Sequence, residues 1–375
     1  MENTFEKFIK NYLLEKYKND AEQLYSLSMI LQYLVNKTKS ANKSSKARGS
    51  FANLYAIYVI VEDYLNKGFD KNGKYGSYEG AQFSVLFKRQ RELPFGAKLQ
   101  NHALNSRMNE EFFKYFPTQT GIPPIMRDLK TQKYWFNEQY LKIKVGKQTY
   151  NIAQDVINII DAYVEVKQDN FKQFIEQCEM LQNMEDDEKD KAEVSIFIMS
   201  LLAPNVDARL FEIVSYSILK FYYKDVHKHI VWGFVGDELT EDYLHLFKTG
   251  RTNANDGGID FVMKPLGRFF QVTETLDFKK YFLDIEKIER YPLSFVIKSE
   301  EDEQVLTDKL RADAKKTYGI DKIVEDYMLC IEEIINIPKL KCYLFELEEL
   351  NLIDDVLKEI ILQSKVEFNY EEDEN

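Results

Sequence analysis

The chain predicts a mixed α/β (α+β) fold, with a largely helical N-terminal region and a C-terminal part in which helices flank a small mixed β-sheet. Three observations predict it. Apolar residues recur at helical spacing through most of the first 220 or so positions. Runs rich in β-branched and aromatic residues, bounded by turn residues, cluster between residues 230 and 298. Their order there, helix, strand, hairpin, helix, strand, suits a sheet covered by helices. A length of 375 residues predicts two domains or one elaborated domain, and 45% hydrophobic with 14% aromatic content excludes a disordered chain.

Taken in order, residues 4–17 place Phe5, Phe8, Ile9, Tyr12 and Leu13 on one face, and residues 21–35 do the same with Leu24, Leu27, Ile30, Leu31 and Leu34, so two amphipathic helices open the chain. Residues 36–50 carry Lys37, Lys39, Lys43, Lys46 and Arg48 and no acid. They read either as a flexible loop that contacts phosphates or as an ordinary lysine-rich surface loop. Residues 51–65 predict an apolar helix capped by Ser50, whose N-terminus is a candidate phosphate seat. A turn region rich in Gly, Tyr and Asn follows at 70–80. Residues 87–107 hold Arg89, Arg91, Gln100, Asn101, Asn105 and Arg107, side chains of the types that read base edges, although Asn and Gln also serve turns; His102 alone indicates no catalysis.

Residues 112–135, with Pro117, Pro123 and Pro124, are expected to be irregular, and residues 140–150 to form a hairpin turning near Gly146. Helices are expected over 153–166 and 170–184. The acidic run 185–191 is the expected domain boundary, dividing residues 1–190 from 191–375. Further helices are expected over 194–202 and 210–223, the second with Leu210, Val214, Ile218 and Phe221 facing a core and Glu212 displaced from that stripe. Residues 230–235 are the expected first strand. His227 and His229 alternate just before it, without a third metal ligand in view. After the hairpin come a helix over 277–290, a strand over 293–298, helices over 307–336, a strand over 341–346 and a closing helix over 350–363.

The net charge of -12 argues at first against a nucleic-acid partner. Its distribution reverses that argument, because residues 81–147 carry 12 Lys and Arg against 5 Asp and Glu, and counterion release depends on the charges at the contact. Cys178, Cys330 and Cys342 lie far apart with no CxxC, which suggests neither a disulfide framework nor a zinc site and favours buried free thiols. The N-terminal residues lack a signal pattern and no apolar run is long enough for a bilayer, so a cytoplasmic protein is expected. There is no P-loop and no internal repeat.

Residues 249–274 hold the chemistry. Residues 259–263 and 269–273 read as two antiparallel strands joined by Pro265, Leu266 and Gly267. Pairing across that turn sets Asp260 opposite Gln271 or its neighbour. Gln271 and Thr273 then share a face, with Phe270 and Val272 on the other. A carboxylate and a second oxygen donor facing each other across a hairpin suit a hard cation such as Mg²⁺, the metal of phosphodiester hydrolysis. The alternative is a surface hairpin whose Asp caps a turn.

The sequence Thr249-Gly250, then Asn255-Asp256-Gly257-Gly258-Ile259-Asp260, then Phe269-Phe270-Gln271-Val272-Thr273, preceded by Phe211-Glu212 in a helix, resembles the Mrr-like branch of the PD-(D/E)XK nuclease superfamily. The resemblance covers about residues 207–299. It implies a restriction-endonuclease-like core in residues 191–375, a Mg²⁺ site of Glu212, Asp260 and Gln271, and Thr273 where the family has the lysine that orients the attacking water. Arg251, Asn253 and Asp256 would lie near the scissile phosphate. Lys264 is about 13 Å from Asp260 along the strand, too far to substitute. Lys279 and Lys280 can fold back, though lysines at a helix start are ordinarily solvated, and Glu274 points away from Thr273.

The function so implied is a Mg²⁺-dependent double-stranded DNA endonuclease of the type II restriction kind, a homodimer cutting a symmetric site, with Lys43, Lys46, Arg48, Arg89, Arg91, Gln100, Asn101, Asn105, Arg107, Arg251 and Asn253 on the DNA. Two other readings stay open: a DNA-binding protein that has lost cleavage, and an RNA-directed nuclease or toxin.

Overall fold

Apolar residues at helical spacing build the first of the two units into which the chain divides, Met1–Gln173 and Phe174–Asn375. The computed structural model describes residues 4–41, 47–72, 75–97, 99–184, 191–226, 229–249, 259–274 and 276–368, with side chains at 4, 39–41, 47–50 and 72 outside that description.

The first unit runs through α1 (Thr4–Tyr17), α2 (Ala21–Leu27), α3 (Met29–Ala41), α4 (Ala47–Asn66), α5 (Phe69–Asn72), β1 (Ala81–Gln82), α6 (Phe83–Glu92), α7 (Met108–Tyr115), β2 (Ile125–Asp128), β3 (Lys133–Phe136), β4 (Lys142–Val145) and β5 (Gln148–Asn151) into α8 (Ala153–Asn183). Its axis is α4. Every residue from Leu54 to Val61 is buried, as expected of a helix that is apolar all round, and it shares one core with Leu13, Leu34, Phe112, Phe136 and Ile160.

The structure corrects several expectations here. The helix expected over 21–35 breaks at Ser28, whose hydroxyl accepts the Leu31 N–H and so starts α3. Lys37 lies inside α3, buried and paired with Glu111, so it is no loop cation. Ser50 is not a cap, because α4 begins at Ala47. Residues 112–135 are ordered: β3 pairs with both β1 and β2. The hairpin at Gly146 is β4–β5, with that glycine at φ +60° as the turn requires. The polar stretch near residue 168 contains no helix breaker, and α8 runs straight through it. The division between units falls within α8, upstream of the acidic run, whose residues 185–190 lie outside the described ones. Cys342 is exposed, while Cys178 and Cys330 are buried as expected.

The second unit continues with α9 (Lys191–Ser200), α10 (Ala208–Phe221), β6 (His229–Trp232), β7 (Thr240–Tyr243), β8 (His245–Lys248), β9 (Phe261–Lys264), β10 (Arg268–Thr273), α11 (Phe278–Lys287), β11 (Leu293–Ile297), α12 (Glu303–Tyr318), α13 (Asp321–Met328), β12 (Ile331–Ile335), α14 (Ile337–Glu349) and α15 (Ile353–Phe368). Its sheet has the order β12-β11-β10-β9-β8. β8, β9 and β10 are antiparallel neighbours, whereas β11 runs parallel to β10 and β12 parallel to β11. The strand expected at 230–235 is not in it: β6 pairs with β7 as a separate two-stranded arm. The strand expected at 341–346 is part of α14, and β12 takes its place.

Two cores cover the two faces. Phe270 and Val296 join α10, α14 and α15 on one; Phe295 and Ile297 join Tyr281, Phe282 and Ile285 of α11 on the other, with α12 and α13. Each fully buried aromatic or aliphatic side chain contributes about 1.5–3 kcal/mol, so the covered sheet is the stability of this unit. At the start of β10, Arg268 pairs with Glu332 and Glu333 of β12, and Glu333 also takes Lys339 from α14 at 2.8 Å. Burial opposes the charge on Glu333, but Lys339 and Arg268 outweigh it and hold its carboxyl below the usual range.

Truncation of Phe270 to Ala leaves a cavity in the middle strand and is expected to cost about 3–5 kcal/mol in urea unfolding. For Glu333, a depressed folded pKa means stability that is fully present above its unfolded value of about 4.3 and lost as pH falls through the lower folded value. Glu333→Gln is therefore expected to be less stable than the parent at pH 7, with the gap closing as the pH is taken below about 4.

Candidate active site

The last residues of β8, β10 and β11 and the first of β9 lie at one end of the sheet, since β9 alone of these runs opposite to the other three. In open α/β sheets the carboxyl ends of parallel strands are where ligands bind. The chain brings most of its candidate residues to that end.

Asp260 directly precedes β9. Its N–H donates to the Phe270 carbonyl at 2.8 Å, its own carbonyl accepts the Thr249 N–H at 3.0 Å, and its carboxylate Oδ2 accepts the Val272 N–H at 2.7 Å. The register Phe261 to Phe270 sets Asp260 level with Gln271, the pairing expected from the turn. Gln271 is 8% exposed, and its amide group donates to the Val272 carbonyl at 3.1 Å. Its carbonyl oxygen Oε1 is buried and has no hydrogen-bond partner among the described residues. An unsatisfied buried acceptor costs on the order of 1–3 kcal/mol, so this oxygen beside Asp260 fits a ligand that supplies positive charge. Oxygen donors of this kind match a hard divalent cation.

Thr273 is almost fully buried, two positions further along the same face. Lys280, in the first turn of α11, donates to the Thr273 hydroxyl at 3.4 Å. The Asp277 side chain caps that helix through the Lys279 N–H, fixing where the turn begins. Lys280 thus reaches back to the strand while its side chain stays exposed, as a lysine at a helix start ordinarily is. Beneath it, burial pushes the Tyr281 phenol well above its usual range.

Glu212 departs from expectation. It is 8% exposed, within a stretch of α10 buried from Phe211 to Leu219, and so is not displaced from the core. Its carboxylate pairs with Lys248 of β8 at 2.9 Å. Lys248 stands beside Phe261, next to Asp260, but this pair lies on the α10 face. Gln271 and Thr273 alternate with Phe270 and Val272, which pack toward α10, and therefore point to the α11 face. The pleat, not distance along the chain, keeps Glu212 from joining Gln271 and Thr273. Glu274 pairs with Lys298 at 2.8 Å, and that ammonium also meets the Val206 carbonyl and lies over the Phe211 ring. Among the described residues no three His, Cys, Asp or Glu side chains converge on a metal position. His229 pairs with Glu241 and His245 lies near Asp242; His227 is outside the described residues.

The DNA-contact candidates are dispersed. Lys43, Lys46, Arg251, Asn253, Asp256 and the two glycines before Asp260 lie outside the described residues, as does the side chain of Arg48. Arg89 makes a two-pronged pair with Glu62 at 2.8 and 2.9 Å, and Arg107 pairs with Glu111 at 3.0 Å. The Asn105 side chain accepts the Tyr134 hydroxyl at 3.0 Å. These three are engaged within their own unit. Asn101 sits half-buried in a turn and Gln100 is exposed. Arg91 is exposed over the Phe87 ring, on an open groove of about 500 Å³ that Phe83, Phe87 and Lys88 also line.

Lys248 and Lys298 were not picked out from sequence. Each stands within one residue of a strand end, and only the register shows which carboxylate it meets. No family model matches the chain, and neither a curated protein nor a solved structure does.

Because the Gln271 oxygen lacks a partner, Gln271→Met is expected to leave the unfolding free energy of the metal-free protein within about 1 kcal/mol of the parent or to raise it. A loss of more than about 2 kcal/mol in chemical denaturation would show that the oxygen is bonded after all.

Proposed function

We propose that this chain is a Mg²⁺-dependent double-stranded DNA endonuclease with a PD-(D/E)XK-like core in its second unit, acting as a type II restriction enzyme. The observation that carries the reading is the unsatisfied Gln271 oxygen set level with Asp260 across a hairpin, at the end of the sheet where the strands terminate. Support comes from the order around it: a helix, the separate β6–β7 arm, three antiparallel strands of the sheet, a second helix and a parallel strand, α10 through β11. The sequence resemblance covers the same residues.

Asp260 and Gln271 would hold the ion. Bound there, Mg²⁺ would supply charge neutralisation at the phosphate and a more acidic water. Glu212 has a different part in this reading, which is to fix Lys248 at the strand end beside Asp260. The Thr273 hydroxyl both donates and accepts, and so orients a water without bringing charge. In hydrolysis the water oxygen bonds to phosphorus, and the bond to the leaving sugar oxygen breaks with its electron pair. One water proton passes to solvent, and the leaving oxygen takes up another. The cation-rich stretch within residues 81–147 supplies contacts to the DNA backbone, and two copies of the chain would cut the two strands of a symmetric site.

Supercoiled plasmid incubated with and without Mg²⁺, beside an RNA substrate, tests the reading. Discrete DNA fragments that need Mg²⁺ are expected; retarded but intact DNA would indicate a binding protein, and loss of RNA alone a ribonuclease. Asp260→Ala is expected to reduce cutting at least about 100-fold while DNA binding persists, and undiminished cutting by that variant would remove Asp260 from the site.

A further inference from the structure

We propose that Lys280 is the cation of this site, supplying from the first turn of α11 the positive charge that β10 lacks at Thr273. The inference rests on the nuclease reading above and names a further residue for it. Three observations carry it. The Lys280 ammonium lies 3.4 Å from the Thr273 hydroxyl, on the face of β10 that also holds Gln271. Of the other lysines at this end, Lys248 is committed to Glu212 at 2.9 Å and Lys298 to Glu274 at 2.8 Å, while Lys279 of the same turn lies over the Phe278 ring. Among the described residues Lys280 has no carboxylate partner, so its charge is left for an anion.

The physical argument is general. Attack on a phosphodiester gathers negative charge on the non-bridging oxygens, and a preplaced cation that is stronger for the transition state than for the ground state lowers the barrier. Thr273 orients water but is neutral. Lys280 hydrogen-bonds to that hydroxyl, so an ammonium stands beside the group that orients the water. Its backbone is fixed, because the Asp277 cap and the buried neighbours Tyr281 and Phe282 set α11 against the sheet. Its side chain is exposed and free to follow a phosphate by rotation about its stem.

The full chain is compared with Lys280→Ala, Lys280→Arg and the double variant Thr273→Lys with Lys280→Ala, in Mg²⁺-dependent plasmid cutting, in plasmid binding without Mg²⁺ and in thermal unfolding. Lys280→Ala is expected to lower kcat about 100- to 1,000-fold with Tm unchanged and plasmid Kd within about threefold. Lys280→Arg should keep at least about a tenth of the parent rate, and the double variant, with the charge moved onto the strand, should regain at least about tenfold over Lys280→Ala. A merely structural lysine would not show that recovery. If the buried Thr273→Lys fails to fold, Lys280→Arg decides: a rate as low as that of Lys280→Ala overturns the proposal. Cutting by Lys280→Ala within threefold of the parent overturns it while leaving the nuclease reading intact. A parent chain that cuts neither DNA nor RNA removes both.

Discussion

The pleat of β10 is the constraint from which the rest of the second unit follows. Its side chains alternate between two cores, Phe270 and Val272 toward α10, Phe269, Gln271 and Thr273 toward α11. A slip of one residue would exchange the two sets and place an amide and a hydroxyl among the aliphatic residues of α14 and α15. The strand is held against that slip from both ends. Arg268 is tied to β12 through Glu333 at its start, and the Asp260 carboxylate takes the Val272 N–H near its finish. Register and chemistry therefore have one origin, since the contact that pins the strand also sets Asp260 level with Gln271.

Charge at the strand ends is arranged in local pairs. Glu212 with Lys248 and Glu274 with Lys298 neutralise each other on the α10 side, with the lysine of the second pair almost completely shielded from water. Breaking such a pair strands a charge in a poor solvent, which keeps both lysines where they are. On the α11 side the polar groups include an amide, a hydroxyl and the exposed Lys280 ammonium, with Asp260 at the boundary. The two faces thus differ at this end: the charges of one are paired, and among the described residues the other keeps the buried Gln271 oxygen without a donor.

Much of this was legible in the sequence where local rules decide. α1 begins and ends where the spacing of Ile9 and Leu13 places it, Gly146 turns its hairpin, and the pairing of residues 261–264 with 268–273 follows from the turn at Pro265 to Gly267. Long-range competition decided the rest. Residues 230–235 have a strand composition, but the edge of the sheet is filled by β8, so they pair with β7 instead. Residues 331–335 carry two glutamates and sit among helices, and become β12 because β11 offers an open parallel edge. Phe211-Glu212 belongs to the helix that was expected, yet the partner of Glu212 depends on which lysine β8 presents, and no spacing rule contains that.

The β6–β7 arm has a consequence of its own. It leaves the chain after α10 and returns before β8 without lending a strand to the five-stranded sheet, and Val231, Trp232, Phe234 and Leu239 stand out in solvent along it. Closing a loop costs only about 0.6 kcal/mol for each doubling of its length, so mutation can lengthen, trim or re-letter this excursion at little thermodynamic cost. Changes of length or sequence in the arm are thereby decoupled from the geometry of the strands beside it, which stay in step.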